Sequence, residues 1–481
     1  MTLPHTPKQG TVARNELGGG VTLDVTLGHH RHVASKNTFR GIYIDAGIRG
    51  GDSALSSTMV KSHRESTRAI LDFFASHHES RHSGPMPLVL VAPIQPSPAS
   101  SSSPSKLRRS RTVISVLAPF RTLPHLQAYT QRSHVAVHFA DVCLRSVGQC
   151  CFQNSPLSGM VFLVALALSS NGLCMLLLAL LGCVSANAFA SLMRLHPDSY
   201  VNGLFGYNAT LLGCAFGTFV VGPDVWSWAT HGYIVLPVLP LLSVLTVVIS
   251  NASGLFLPPG TPALTFPFQF TIWTWILAAQ NWAHVRVAYV TSPHLNSVAA
   301  ATDIDAFEWR LIAQAVGSGL AQTFLLPDCR LGWLVVVGIA LCSPVGALFA
   351  VVGAILGTLT AVGVGAAPTA VYAGLYGYNA SLCAVALGGF FVKARGWRFA
   401  PLVGVGVLGS TLLTSSTSAL FTAFGVPALT WPFTLMTWLL LLSMKSMPDV
   451  IVLALDDLTT PEDHLEGKTS IDRPHNEVVP V

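Results

Sequence analysis

Two carboxamides and two hydroxyls occupy matching places in the two halves of this chain: Gln149 and Gln322 lie 322 − 149 = 173 positions apart, Thr265 and Thr430 430 − 265 = 165. A glutamine amide offers an acceptor and two donors, and a threonine hydroxyl plays either role. Such groups trade hydrogen bonds with an uncharged polar molecule. Catalysis would instead require a converging nucleophile, base or metal cluster, and no such set recurs in the apolar segments. Each glutamine stands three residues before an apolar side chain, Phe152 or Leu325. It either ties its segment to neighbouring backbone or lines a passage. Each threonine immediately precedes a proline phrase, "FPF" or "WPF". Proline frees a backbone carbonyl from its usual helical partner, so the threonine either heals that defect or faces the passage.

The surrounding phrases are written twice as well. "GLFGYNATL" (Gly203 to Leu211) returns as "GLYGYNASL" (Gly374 to Leu382), 374 − 203 = 171 positions on, with seven of nine residues identical. "LTFPF" (Leu264 to Phe268) returns as "LTWPF" (Leu429 to Phe433), and "GQCCFQNSPLSG" (Gly148 to Gly159) as "AQTFLLPDCRLG" (Ala321 to Gly332). Tyr207 and Leu211, like Tyr378 and Leu382, are four apart and share one helix face, as wall residues must. Gly203, Gly206, Gly374 and Gly377 permit close helix approach. Asn208 and Asn379 formally open glycosylation sequons, but within a membrane they would serve to satisfy interrupted backbone.

Composition states where these elements sit. Of 481 residues, 51% are hydrophobic and only 10% charged, against about 25% charged in soluble domains. Nucleic-acid binding does not fit, because the net charge of +5 is dispersed. The nine cysteines show neither a disulfide framework nor metal spacing. Residues 1–130 are polar and basic, with stretches such as "SPASSSSPSKLRRSR", and read as a disordered leader. Two sets of five apolar spans follow: near 157–169, 171–192, 203–222, 232–250 and 265–285, then 331–343, 345–365, 372–392, 399–420 and 430–446. The reading is an all-α polytopic membrane protein, with a first repeat over 131–296, a second over 297–446 and an acidic cytoplasmic tail over 447–481. The "GQCCFQNSP" and "AQTFLLP" pieces are too short to span and are expected to be half-helices containing Gln149, Phe152, Gln322 and Leu325.

Basic residues orient the stack. With Lys106, Arg108, Arg109 and Arg111 inside, Arg194, Lys393, Arg395, Arg398 and Lys445 also fall inside, and Asp224, Asp303, Asp305 and Glu308 outside. Both termini are then cytoplasmic. An odd number of spans per half inserts the second half upside down, the inverted-repeat plan of many transporters.

In their order, spacing and duplication these landmarks resemble those of the urea transporter family, over roughly residues 138 to 446. The resemblance implies two inverted repeats of five helices with one pore half-helix each, a homotrimer with a pore in every subunit, urea as substrate and no cofactor. It also implies Gln149 and Gln322 lining the pore, Phe152 and its counterpart Leu325 as slot walls, and Thr265 and Thr430 as a central narrow pair. A plasma-membrane location is expected. Asp328 and Arg330 depart from the first half and either cap the second half-helix or pair at the vestibule. An ammonium channel, an amide or polyol channel and a transport-dead sensor of the same fold are the alternatives. The histidines do not recur between halves, unlike the pair that an ammonium pore uses.

Overall fold

The structure is a computed structural model that describes residues 10–17, 21–34, 37–49, 121–222, 233–282, 307–393 and 399–467. The expected positions of Lys106, Arg108, Arg109, Arg111, Asp224, Asp303, Asp305, Arg395 and Arg398 lie outside the described residues. The chain divides into two units, Met1–Lys106 and Leu107–Val481. In the first, β1 (Gly10–Leu17), β2 (Val21–Ala34) and β3 (Asn37–Arg49) form an antiparallel sheet in that order.

The second unit is helical. After α1 (Pro124–Arg132) come α2 (Val135–Gln149), α3 (Pro156–Ala167), α4 (Gly172–Leu192), α5 (Pro197–Val201), α6 (Tyr207–Phe216), α7 (Tyr233–Phe256) and α8 (Phe266–Ala279). The second half repeats the series from α2 as α9 (Trp309–Ala321), α10 (Cys329–Cys342), α11 (Pro344–Gly363), α12 (Pro368–Tyr372), α13 (Gly377–Val385), α14 (Ala400–Thr422) and α15 (Trp431–Met444). Each candidate span overlaps one of these helices, but 203–222 and 372–392 contain only the short α6 and α13, and 265–285 runs past the described residues. Among the described residues, α4, α7, α11 and α14 are long and apolar enough to cross a membrane. Residues Trp309–Phe324 and α10 form a pair bent by 67°. Large leucines stand bare on the outside, Leu255 at 91% and Leu192 at 74% exposure. Water would penalise that surface, whereas hydrocarbon does not.

Backbone punctuation is duplicated as faithfully as the helices. Left-handed φ values recur in pairs: 64° at Phe152 and 60° at Leu325, 72° at Gly203 and 77° at Gly374, 50° at Leu264 and 51° at Leu429. Both α6 and α13 widen at their ends into a π-type turn, Gly217–Val221 and Ala386–Phe390. At Gly203 a Cβ would overlap the backbone of Arg145 and Ser146, and at Gly374 that of Ser318 and Gly319. Close backbone approach is thus required at the same point in each half.

The halves interlock through aromatic side chains. Phe162 of α3 packs on Phe324 at 5.2 Å between ring centres. Trp273 of α8 donates its indole N–H to the carbonyl of Pro427 at 2.7 Å, and Trp438 of α15 donates to Pro262 at 2.8 Å. Each half thereby holds the loop that leads into the other half's last helix.

The acidic C-terminal segment does more than trail. Through Gly467 it folds back: β4 (Val392–Lys393) pairs with β5 (Ile451–Val452), and α16 (Pro461–Leu465) docks beside α11. The carboxylate of Glu462 accepts from Ser343 Oγ at 2.9 Å and from Val345 N–H at 2.8 Å, at the N-terminus of α11. That is where a helix has unpaired N–H groups and a partial positive charge. Asp463 pairs with Arg121 at 3.0 Å. Charge composition suggested solvent, yet the helix end offers these acids a better partner. An apolar cavity of about 220 Å³ remains beneath, lined by residues including Val345, Phe349, Phe399 and Leu465. It shares no residue with the site described below.

His464 reports on this docking. Its Nε2 accepts from Thr459 N–H at 3.0 Å, so its Nδ1 carries the proton and donates to Gly389 O at 2.8 Å. Burial holds its pKa below the usual histidine value; the Gly389 and Asp457 backbone bonds and Asp463 oppose that shift, and Lys393 adds to it. A depressed histidine pKa makes docking strongest above the undocked value, near 6.5, and weaker as pH falls below it. Amide exchange over residues 459–465, corrected for its intrinsic rate, should therefore accelerate between pH 7.5 and 5.5. His464→Gln should abolish that difference.

Candidate functional site

The threonines stand at helix starts, where the spacing placed them. Thr265 precedes α8 and Thr430 precedes α15, each following a leucine in left-handed conformation and leading a proline in the first turn. Neither side chain caps its own helix. The asparagines of the repeated phrase do so from outside. Asn208 donates Nδ2 to Leu264 O at 3.3 Å and accepts from Phe268 N–H at 3.2 Å. Asn379 makes the same bonds to Leu429 O and Phe433 N–H, both at 3.2 Å. The hydroxyls of Tyr207 and Tyr378 donate to the same two leucine carbonyls. Unpaired groups at a helix N-terminus must find partners, and a side chain from a neighbouring helix meets that need here.

The threonine hydroxyls are thereby free to meet each other. Thr265 Oγ1 lies 2.8 Å from Thr430 Oγ1 and 2.9 Å from Thr434 Oγ1. Gln269 Nε2 donates to Thr430 Oγ1 at 2.8 Å. All four residues are buried, and Gln269 is fully so. No charged side chain takes part in these bonds. The cluster draws on both halves and sits where α8 and α15 begin.

Two apolar groups flank it, and each also crosses between halves. Leu264 packs with Leu382 and Phe433, with Phe152 against them. Leu429 belongs to the same buried apolar cluster as Leu211 and Phe268, a cluster that Tyr207 and Leu325 border. The Phe152 ring lies 4.9 Å from Phe390, 5.6 Å from Phe391 and 6.0 Å from Phe433, centre to centre, all from the second half. Tyr378 is buried beside Leu429 through its hydroxyl bond. The structure thus brings Thr265 and Thr430 into direct contact, bonds Tyr207 and Tyr378 to the leucines beside them, and puts Phe152, Leu211, Leu325 and Leu382 in the apolar clusters that hold those leucines.

Gln149 and Gln322 sit differently from expectation. Gln149 is the last residue of α2, and Gln322 caps α9. Phe152 and Leu325 lie beyond, in the loop, so the short pieces are helix ends and not half-helices in themselves. Both α2 and α9 end where the left-handed residue lets the chain turn back: Gln153 N–H bonds Gly148 O at 3.0 Å, and Leu326 N–H bonds Ala321 O at 3.3 Å. Both glutamines tie backbone, Gln149 Nε2 to Asn202 O at 2.9 Å and Gln322 Nε2 to Ala373 O at 3.0 Å. Both stay half-buried. Asp328 caps α10, the helix after the turn, through Arg330 N–H at 2.8 Å.

Sequence reasoning missed the support beneath Gln149. Arg145, fully buried, donates to Asp141 Oδ2 at 2.8 Å, to Thr122 O at 2.9 Å and to Asn154 Oδ1 at 3.0 Å. Asn154 in turn donates to Asn202 Oδ1 at 2.8 Å, on the residue whose carbonyl holds Gln149. It also missed Gln269 and Thr434. The signal was present, since both lie one helical turn past Thr265 and Thr430.

Paired helical sets around a buried, charge-free polar junction define a multi-pass helical membrane protein. The chain belongs to the urea transporter family, whose model, described as Urea transporter, matches residues 140–445. It is similar to Urea transporter 1 of Capra hircus, 28% identical over 332 residues that cover 68% of this chain and 83% of the relative. Urea transporter 1 of Rattus norvegicus is 28% identical over 335 residues, 69% of this chain and 83% of the relative.

Proposed function

We propose that this chain conducts urea passively through a fixed passage at the junction of its two halves, with Thr265 and Thr430 at the narrow midpoint. The observation that carries the proposal is the cross-half hydroxyl pair, 2.8 Å apart and flanked on each side by an apolar cluster. Urea is flat and neutral, with four N–H donors and one carbonyl. Leaving one buried polar group unpaired costs about 1–3 kcal/mol, so a solute stripped of water needs partners at every stage. Hydroxyls bonded to each other are satisfied when no solute is near and exchange that bond for a urea N–H or carbonyl when it arrives. Flat walls come from Phe152, Tyr207, Leu211 and Leu325 and from Tyr378 and Leu382. Gln149 and Gln322 meet the solute nearer the two mouths.

The two halves are inverted repeats. Support comes from the paired left-handed residues and from the crossed tryptophan bonds, which a two-fold axis in the membrane plane would generate. The protein acts as a homotrimer in the plasma membrane with both termini cytoplasmic, on the strength of the family resemblance and the basic-residue pattern. No ion gradient drives transport, since the junction offers no ionisable group to carry coupling.

Thr265→Val keeps the shape and removes the hydroxyl. Urea flux into proteoliposomes should fall about tenfold, the effect of losing one hydrogen bond of ~1–1.5 kcal/mol at the midpoint. Flux equal to the unsubstituted protein would remove Thr265 from the passage.

A further inference from the structure

The threonine cluster is not symmetric. Position 269, four after Thr265, is glutamine, whereas position 434, four after Thr430, is threonine. The amino end of Gln269 faces the hydroxyls, 2.8 Å from Thr430, 3.3 Å from Thr265 and 3.4 Å from Thr434. Its other end, Oε1, is buried without a hydrogen-bond partner in a side chain that is 0% exposed. Buried amide oxygens are seldom left so, because the desolvation cost is not recovered.

From this geometry we infer that Gln269 is a further solute-binding residue at the midpoint, its Oε1 accepting an N–H from urea while its amino group holds the threonine hydroxyls in place. Three hydroxyls and one carboxamide bring five donor hydrogens but about eight acceptor lone pairs. The donors are directed into the cluster, and the surplus is in acceptors. A solute rich in N–H donors complements that surplus; a solute that only accepts does not. Urea, thiourea and simple primary amides form the matching class. The inference rests on the midpoint reading of Thr265 and Thr430 and adds a residue that the repeat pattern does not supply, since its partner position carries no amide.

The test is flux of urea and of thiourea into proteoliposomes holding the full chain, with Gln269→Met, Gln269→Glu and Thr265→Val measured side by side. Gln269→Met has nearly the same length and removes every polar atom except a weak sulfur acceptor. It should slow urea and thiourea by the same factor, about tenfold, because both solutes keep their N–H groups. Gln269→Glu keeps an acceptor oxygen at the same reach and should recover at least about a third of the lost flux. The inference is overturned if Gln269→Met leaves urea flux within about twofold of the unsubstituted protein, if urea slows and thiourea does not, or if Gln269→Glu is as slow as Gln269→Met. A slow Thr265→Val beside an unaffected Gln269→Met defeats this inference alone. Full flux in both defeats the midpoint reading with it.

Discussion

Replacing Arg145 by methionine should lower the stability of the folded chain by about 3–5 kcal/mol, the usual result of removing one member of a buried ion pair. Its guanidinium has no exposure, and the Asp141 side chain only 4%. Removing Arg145 leaves that carboxylate without its counter-charge and releases Thr122 O and Asn154 from their donor. The double substitution Asp141→Leu with Arg145→Met should recover much of the loss, because no lone charge then remains. Thermal unfolding of the purified protein in detergent measures both. Equal midpoints for the unsubstituted chain and Arg145→Met would show that the pair contributes nothing. Urea flux through any folded Arg145→Met should also fall, since Asn154 and Asn202 position Gln149.

The second large effect lies at the close contacts made by the repeated phrase. Gly203 and Gly374 combine a left-handed backbone with contact against the helices α2 and α9, where a Cβ would strike main-chain atoms. Alanine at either position costs about 1–2 kcal/mol for the backbone conformation alone, and the overlap adds to that because backbone cannot swing aside as a flexible side chain can. Gly203→Ala and Gly374→Ala should each reduce the yield of folded protein, and by comparable amounts. Size-exclusion profiles of the two variants give the comparison. A tolerated Gly374→Ala would mean that the second half does not need the tight approach.

Much of this architecture was legible because duplication exposes what composition hides. Any apolar segment could be a span, but two sets of landmarks in one order identify the helices beginning at Thr265 and Thr430 as counterparts. The asparagine role could be read too, since an amide beside an interrupted helix has backbone to satisfy. Phe152 and Leu325 were misplaced for a physical reason. Glycine is the residue that ordinarily announces a left-handed helix end, and neither position carries one. Arg145 is hard to recognise in the sequence because it stands at the very edge of Ser146 to Met193, a run without Asp, Glu, Lys, Arg or His. A lone arginine near an apolar run resembles a membrane flank until its partners are known. The acidic C-terminal segment misled in the opposite direction, as Glu462 and Asp463 find a helix N-terminus and Arg121 only after the fold has brought residues more than a hundred positions apart together. Thr434 and Gln269 could have been found from helical spacing alone.

Reconstituted into liposomes without an ion gradient, the purified chain should carry urea down its concentration gradient in either direction. Thr265→Val and Thr430→Val should each slow that flux while the protein stays folded. Liposomes holding the folded protein that admit urea no faster than bare lipid, or a flux that requires a proton or sodium gradient, would contradict a passive conduit at the junction of the two halves.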